Sequence, residues 1–278
     1  AYEISLGLVG SEMCIRDSDL IAEKSVNPRD SSRMLLVNGN SISDSSINSM
    51  SDLFTSGDLF VINNTRVLSS RLSGKVRNYL VEVTFLNEVK KGIWRSLVKP
   101  SKRFNIGDSF IFKNYKFKVV KKELSGEVFL DVNMDKAEFI ELLLKKGEMP
   151  LPPYLKNNKM KNPFEEYQTI FAKKYGAVAC PTAGLHFTEA LLDNLKIKGI
   201  KIGYVTLHIG LGTFRPIMVE DLTRHNIDSE YYSVPPETAT LINQAKAKRK
   251  KIIVVGTSAV RTLETVVVSG FQITAKKG

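Results

Sequence analysis

The sequence predicts an α/β fold: a mostly parallel sheet domain with an antiparallel β-barrel domain inserted into it. Three observations predict this. Apolar runs at 59–62, 177–180, 200–207 and 252–255 each stop abruptly at a cluster of Thr, Ser, Asn, His, Arg and Gly. The runs at 177–180 and 252–255 lead through such clusters into helix starts, which is the strand, polar loop, helix order of a parallel sheet. Between about Ser69 and Asn133 the period changes to short alternating runs separated by turn formers, the pattern of an antiparallel barrel or small sandwich. The expected division is 19–68 with 148–278 for the α/β domain and 69–147 for the inserted barrel.

Ala1 to Ser18 lacks an initiator Met, and Leu6-Gly7-Leu8-Val9-Gly10 is too short and too poorly flanked for a signal peptide, so 1–18 is expected to lie outside the fold. Met34 to Val37 reads as a short strand and Ser41 to Ser51 as a polar loop. Gly57-Asp58 turns the chain into the apolar strand Leu59 to Ile62, which ends in Asn63-Asn64-Thr65-Arg66. Alternating runs follow at 81–86, 93–98, 109–112, 115–120 and 127–132. Asp135 offers an N-cap to a helix with Phe139, Ile140, Leu143 and Leu144 on its buried side, closed by Lys145, Lys146 and Gly147. Met149-Pro150-Leu151-Pro152-Pro153-Tyr154 is a stiff connector.

Ala177 to Cys180 is short enough for a buried strand, and Pro181 stops it for want of an amide hydrogen. A polar turn with Thr182, Gly184 and His186 follows. Thr188 caps a helix carrying Leu191, Leu192 and Leu195 on one face, with Gly199 at its end. Ile200 to Leu207 is the next strand, running into His208-Ile209-Gly210-Leu211-Gly212-Thr213-Phe214. Pro235-Pro236 opens a helix through about Lys248. Ile252 to Val255 ends in Gly256-Thr257-Ser258-Ala259-Val260-Arg261-Thr262 at another helix start.

The 278 residues are 43% apolar, enough for a substantial core, and no run approaches the roughly 20 apolar residues of a membrane span. Forty Lys and Arg against 29 Asp and Glu give +11, which favours a polyanionic partner such as nucleic acid. Cys14 and Cys180 make neither a disulfide framework nor a metal cluster, and suit a reducing cytoplasm.

In a parallel sheet the four polar strand ends converge on one edge, where ligands collect. Any one of these loops is explained by turns and caps alone; four together argue for a site. Glycines allow close backbone approach, hydroxyls and Asn63 can hydrogen-bond a ribose or amino-acid head group, and arginines can fork onto carboxylate or phosphate. His186 and His208 are the candidates for proton transfer, with His225 third. Lys99-Pro100-Ser101-Lys102-Arg103 has the composition of a phosphate-contacting segment or of an exposed loop. No metal-ligand spacing, P-loop or dinucleotide fingerprint is present.

Taken together, Asn63-Asn64-Thr65-Arg66, Pro100-Ser101-Lys102-Arg103, Met149 to Tyr154, Tyr167-Gln168-Thr169, Pro181 to Thr188, His208 to Pro216 and Val260-Arg261-Thr262-Leu263-Glu264 closely resemble the S-adenosylmethionine:tRNA ribosyltransferase-isomerase family of queuosine synthesis. The resemblance runs in order from about Leu20 to Glu264. It implies a barrel inserted into an α/β domain, and an enzyme that transfers and isomerises the ribosyl part of S-adenosylmethionine onto 7-aminomethyl-7-deazaguanine at the tRNA wobble position. The products would be epoxyqueuosine in tRNA, adenine and methionine. S-adenosylmethionine is then a consumed substrate, with no cofactor or metal, and the partner is tRNA in the cytoplasm, with no membrane, for a monomer or weak homodimer.

Carried onto this chain, the resemblance gives base or acid duty to His186 or His208. It gives substrate contacts to Asn63, Thr65, Arg66, Thr182, Gly184, Gly210, Gly212, Thr213, Arg215, Thr257, Arg261 and Glu264, and tRNA contacts to Lys99, Ser101, Lys102 and Arg103. Lys99 stands where the family usually has Arg, and Cys180, Ser258 and Ala259 also depart from its pattern. Asp228 replaces the second histidine of a pair with His225. The chain stops at Gly278, ahead of the family's final Asn-Phe-His and Pro-Lys-Ser-Thr region, so the α/β domain is expected to lack its C-terminal part. The rival readings are a non-catalytic tRNA-binding fragment and an S-adenosylmethionine-dependent tRNA methyltransferase.

Overall fold

The computed structural model describes residues 26–151, 160, 162–210, 229–268 and 272–278. Residues 1–18, the prolines at 152 and 153 and the run 211–228 lie outside these. The chain divides into two compact units, one formed by Val67–Pro150 with Tyr175–Val178 and the other by the remaining described residues.

The second unit begins with a hairpin. Strand β1 (Arg33–Asn38) pairs antiparallel with β2 (Ser41–Ser46) across a tight turn at Gly39, where φ is +58°. The sequence reading of 41–51 as loop is therefore corrected: 41–46 is strand and Ile47–Leu53 a 3-10 helix. Its polar composition hid the pairing because the ribbon is largely exposed, so the strand has no apolar face to alternate. Strand β3 (Leu59–Asn63) follows and is buried at every residue.

In the first unit, six antiparallel strands close into a barrel: β4 (Arg71–Val76), β5 (Tyr79–Lys90), β6 (Ile93–Lys99), β7 (Ser109–Phe112), β8 (Tyr115–Lys122) and β9 (Val128–Asp131), in the order β9-β6-β5-β4-β7-β8 with β8 and β9 joined. The alternation places Val81, Val83 and Phe85 inside. Closure brings backbones together at Gly74, where a Cβ would lie 2.3 Å from the Ile111 carbonyl oxygen. Helix α1 (Lys136–Lys146) is held by the expected Asp135 cap, a capping box with Glu138. Its Phe139 packs edge-on to Phe85 and Phe117 with centroids 4.8 and 5.7 Å away. The buried face is Phe139, Leu142 and Leu143, at positions i, i+3 and i+4, with Ile140 half-buried against the same core; Leu144, expected on that side, is exposed.

In the α/β unit, Thr188 accepts the Leu191 N–H at 3.1 Å and starts α2 (Glu189–Ile197). After it come β10 (Lys201–Leu207), β11 (Tyr232–Val234), α3 (Pro236–Ala247), β12 (Ile252–Val254), α4 (Thr257–Val266) and β13 (Lys276–Lys277). The sheet order is β12-β3-β10-β11-β13; β12, β3 and β10 are parallel, and β11 and β13 add antiparallel strands at one side. Leu59 and Val61 of β3 pack with Ala239, Ile242, Ala259 and Leu263 of α3 and α4 on one face. Phe60 packs with Leu191, Leu192 and Leu195 of α2 on the other. The run 177–180 is not a strand of this sheet. Only its first residue ends a short strand, and Val178 to Cys180 forms a buried turn in which the Ala179 N–H reaches the Ile209 carbonyl at 3.3 Å. With Pro181 unable to donate, the run is too short to propagate a ladder.

Asp58 ties the starts of the three parallel strands. Its carboxylate accepts N–H bonds from Thr55 and from Lys251, which leads into β12, both at 2.9 Å, and its carbonyl accepts from Lys201 of β10 at 2.8 Å. Burial would raise this carboxyl above its ordinary 3.8, but the two N–H donors and the Lys250 charge outweigh it and hold it lower. A depressed folded pKa means stabilisation present above the unfolded value and lost as pH falls through the folded one. Asp58→Asn is expected to cost about 2–3 kcal/mol in urea unfolding at pH 7. The gap from wild type should shrink below pH 4; a gap independent of pH would contradict the role.

Candidate active site

The C-terminal edge of the parallel strands is fixed by one side chain. Asn63, 2% exposed at the end of β3, donates to the Leu207 carbonyl and to Ser258 Oγ, both at 3.1 Å, and accepts from the N–H groups of Thr65 (3.0 Å) and Leu207 (3.1 Å). All its hydrogen-bonding positions are used within the protein, so it joins the end of β10 to the start of α4. Thr65, fully buried, has its hydroxyl 2.8 Å from His208 Nδ1, and the His208 ring stacks on Tyr231 with centroids 5.0 Å apart.

Above this edge lies a cavity of about 490 Å³, within the range of small-molecule sites, lined by Tyr167, Ala179 to Ala183, Leu207, Ile209, Glu230, Gly256 to Ser258 and Arg261. Leu207 and Ile209 line it, and the intervening His208, just past the end of β10, is not among the lining residues. Gly256, with φ +81°, turns the chain from β12 into α4, whose first turn meets the cavity, so free amides and the positive end of the helix dipole face a ligand there.

Three ionisable groups define the wall. Glu230, its side chain 6% exposed, accepts the Gly210 N–H at 2.7 Å through one oxygen and pairs with Arg261 Nη1 at 2.5 Å through the other. The pair holds a guanidinium at the cavity in fixed orientation. Burial pushes the Cys180 thiol up to about 12 against the opposing Arg29 charge and Thr169 N–H, so Cys180 is a neutral lining group and not a nucleophile.

Of the sequence candidates, Thr182, Thr257 and Arg261 lie on the cavity wall, while Asn63, Thr65, Gly210 and His208 form the network beside it. Gly184 is buried, and a Cβ there would lie 2.7 Å from the Phe171 ring, so its glycine character serves packing. His186 is exposed, with Nδ1 3.1 Å from Ser32 Oγ; Arg66 and Glu264 are not on the wall. Gly212, Thr213, Arg215, His225 and Asp228 fall outside the described residues. Lys99, Ser101, Lys102 and Arg103 belong to the barrel unit, at the end of β6 and in the 3-10 turn after it. Glu230 escaped the sequence reading because its partners are 20 and 31 residues away and no local motif surrounds it.

Among the described residues no helix is long and apolar enough to cross a membrane, and no three His, Cys, Asp or Glu side chains are grouped to hold a metal.

A family model described as queuosine biosynthesis protein matches residues 16–277. The S-adenosylmethionine:tRNA ribosyltransferase-isomerase of Thermosipho africanus is 42% identical over 253 residues, covering 89% of this chain and 73% of that protein. Its namesake in Desulfitobacterium hafniense is 40% identical over 266 residues, covering 94% of this chain and 77% of that one. A solved structure of the S-adenosylmethionine tRNA ribosyltransferase of Thermotoga maritima aligns with a TM-score of 0.42 at 25% identity, over 91% of this chain and 72% of that chain. With nearly its whole length matched, the chain belongs to the queuosine biosynthesis protein family.

Proposed function

We propose that this chain is an S-adenosylmethionine:tRNA ribosyltransferase-isomerase that moves and isomerises the ribosyl group of S-adenosylmethionine onto 7-aminomethyl-7-deazaguanine at the tRNA wobble position, releasing adenine and methionine. The observation that carries the reading is the family match from 16 to 277, at about 40% identity to relatives bearing that name. The cavity supplies what the donor needs. Arg261, aimed by Glu230, is a fork for the carboxylate of the methionine arm, and Thr182, Thr257 and the first amides of α4 suit the ribose and base.

The sulfonium acidifies the adjoining ribose carbon, so a fixed base can start the reaction by taking that proton, and adenine leaves more readily once protonated. We assign the proton transfer to His208, which lies between the lining residues Leu207 and Ile209 and is held between the Thr65 hydroxyl and the Tyr231 ring, over the exposed His186. The donor's ribose must then reach past the cavity wall to this strand edge, within hydrogen-bond distance of the imidazole. In this reading the donor is consumed and not retained as a cofactor, and a tRNA acceptor fits a cytoplasmic enzyme.

The test combines the purified chain with S-adenosylmethionine and tRNA carrying the aminomethyl-deazaguanine. Free adenine together with the matching mass gain at the wobble nucleoside is expected. Formation of S-adenosylhomocysteine without adenine would make the chain a methyltransferase, and binding without either product would make it a tRNA-binding protein.

A further inference from the structure

The barrel unit carries an exposed feature that phosphate contact alone does not require. Between Val67 and Pro150 the chain has seventeen Lys and Arg against ten Asp and Glu, so this unit holds most of the net +11. Some of its arginines are paired: Arg77 forks onto Asp108 and Arg95 onto Glu127. Lys99, Lys102 and Arg103 are exposed, and no ion pair engages them among the described residues.

Their turn is fixed. Lys122 Nζ donates to the Ser101 and Phe104 carbonyls at 3.0 and 2.9 Å, and the Phe104 ring is fully buried. From this turn the Arg103 guanidinium reaches across to lie 3.7 Å from the centroid of the Tyr79 ring, which is 44% exposed at the start of β5. Glu82, opposite Lys99, adds one acidic group to the same rim.

A guanidinium stacked on an exposed ring is a flat, partly apolar surface edged by cations. Paired RNA presents phosphates and hydroxyls outward and has little use for such a surface, whereas an unpaired nucleotide offers a π-face with phosphates on either side. We propose that the Tyr79–Arg103 stack is a docking platform for an unpaired RNA base, with Lys99 and Lys102 taking the flanking phosphates. This rests on the reading that the chain acts on tRNA, and names where a looped-out or loop nucleotide is held on the barrel.

The experiment is a fluorescence-anisotropy titration of the full chain with an anticodon stem-loop RNA and with a duplex of the same stem closed without a loop, across a range of salt. Tyr79→Ala is expected to weaken loop binding about tenfold at unchanged salt slope and to leave duplex binding alone, and Tyr79→Phe to restore it. Lys102→Gln should weaken both RNAs and lower the slope by about one. Loop binding that is unchanged in Tyr79→Ala, or an equal loss for loop and duplex, would overturn the platform. Circular dichroism melts report whether the variants fold. Adenine release by the wild-type chain is scored separately: Tyr79-dependent loop binding without adenine sinks the enzymatic reading and keeps the platform, and the converse result does the reverse.

Discussion

Replacing His208 with alanine is expected to slow adenine release by about a hundredfold or more while leaving affinity for S-adenosylmethionine close to that of wild type. The size follows from the loss of a positioned proton carrier, which accounts for roughly 10²–10⁴ in rate. The imidazole is not on the cavity wall that Leu207 and Ile209 form, so its removal subtracts little from donor binding. It is, however, fixed by Thr65 and Tyr231 at the edge where β3 and β10 end, and a fixed proton carrier is what abstraction beside the sulfonium requires. The proton step can be followed alone, as exchange of the ribose hydrogens beside sulfur with deuterated solvent. Exchange and adenine release should fall together in His208→Ala. If they persist there and vanish in His186→Ala, the assignment passes to the exposed histidine on the 182–186 turn.

Replacing Arg261 with alanine is expected to raise the KM for S-adenosylmethionine by about thirtyfold with a smaller effect on kcat, the size of one lost charge-assisted hydrogen-bond fork at a cavity wall. Lysine should not rescue it, because an ammonium keeps the charge and loses the planar pair of donors. Glu230→Gln separates aiming from gripping. The amide carbonyl can still accept the Gly210 N–H, so the backbone near residue 210 keeps its tether, while the ion pair that orients Arg261 is gone. We expect about a tenfold rise in KM from Glu230→Gln and little further loss when it is added to Arg261→Ala, since the two act as a unit. Additive losses would mean that Glu230 meets the donor by itself.

Sequence alone conveyed the architecture where local chemistry controls it. The change to period-two alternation after residue 69 marks the barrel because each strand has one face in a core of Phe85, Phe110 and Phe117. The continuous apolar run 59–62 marks a strand buried on both sides, and 200–207, alternating as far as Tyr204, marks one that is buried throughout only at Val205 to Leu207. Capping residues at 135 and 188 start helices where they were read, because a cap is satisfied within four residues of itself. What was not legible depends on distant partners. The hairpin strand 41–46 is stabilised by its pairing to 33–38 and not by its own composition. The run 177–180 resembles a strand, yet its position is set by residues of other loops, including Ile209. At the site, Thr182, Thr257 and Arg261 were visible as strand-end residues, whereas Glu230 became visible only through contacts with Gly210 and Arg261, and Asn63 proved to hold the protein's own backbone on all its hydrogen-bonding positions.

The measurement that bears most directly on where the donor is held is photochemical cross-linking of S-adenosylmethionine to the full chain, followed by mass mapping of the labelled peptides. Label is expected on peptides containing Tyr167, Ala179 to Ala183, Leu207 to Ile209 or Gly256 to Arg261, and should be lost when unlabelled S-adenosylmethionine is added in excess. Competable label confined to peptides from Val67–Pro150 would contradict the assignment of this cavity as the donor site.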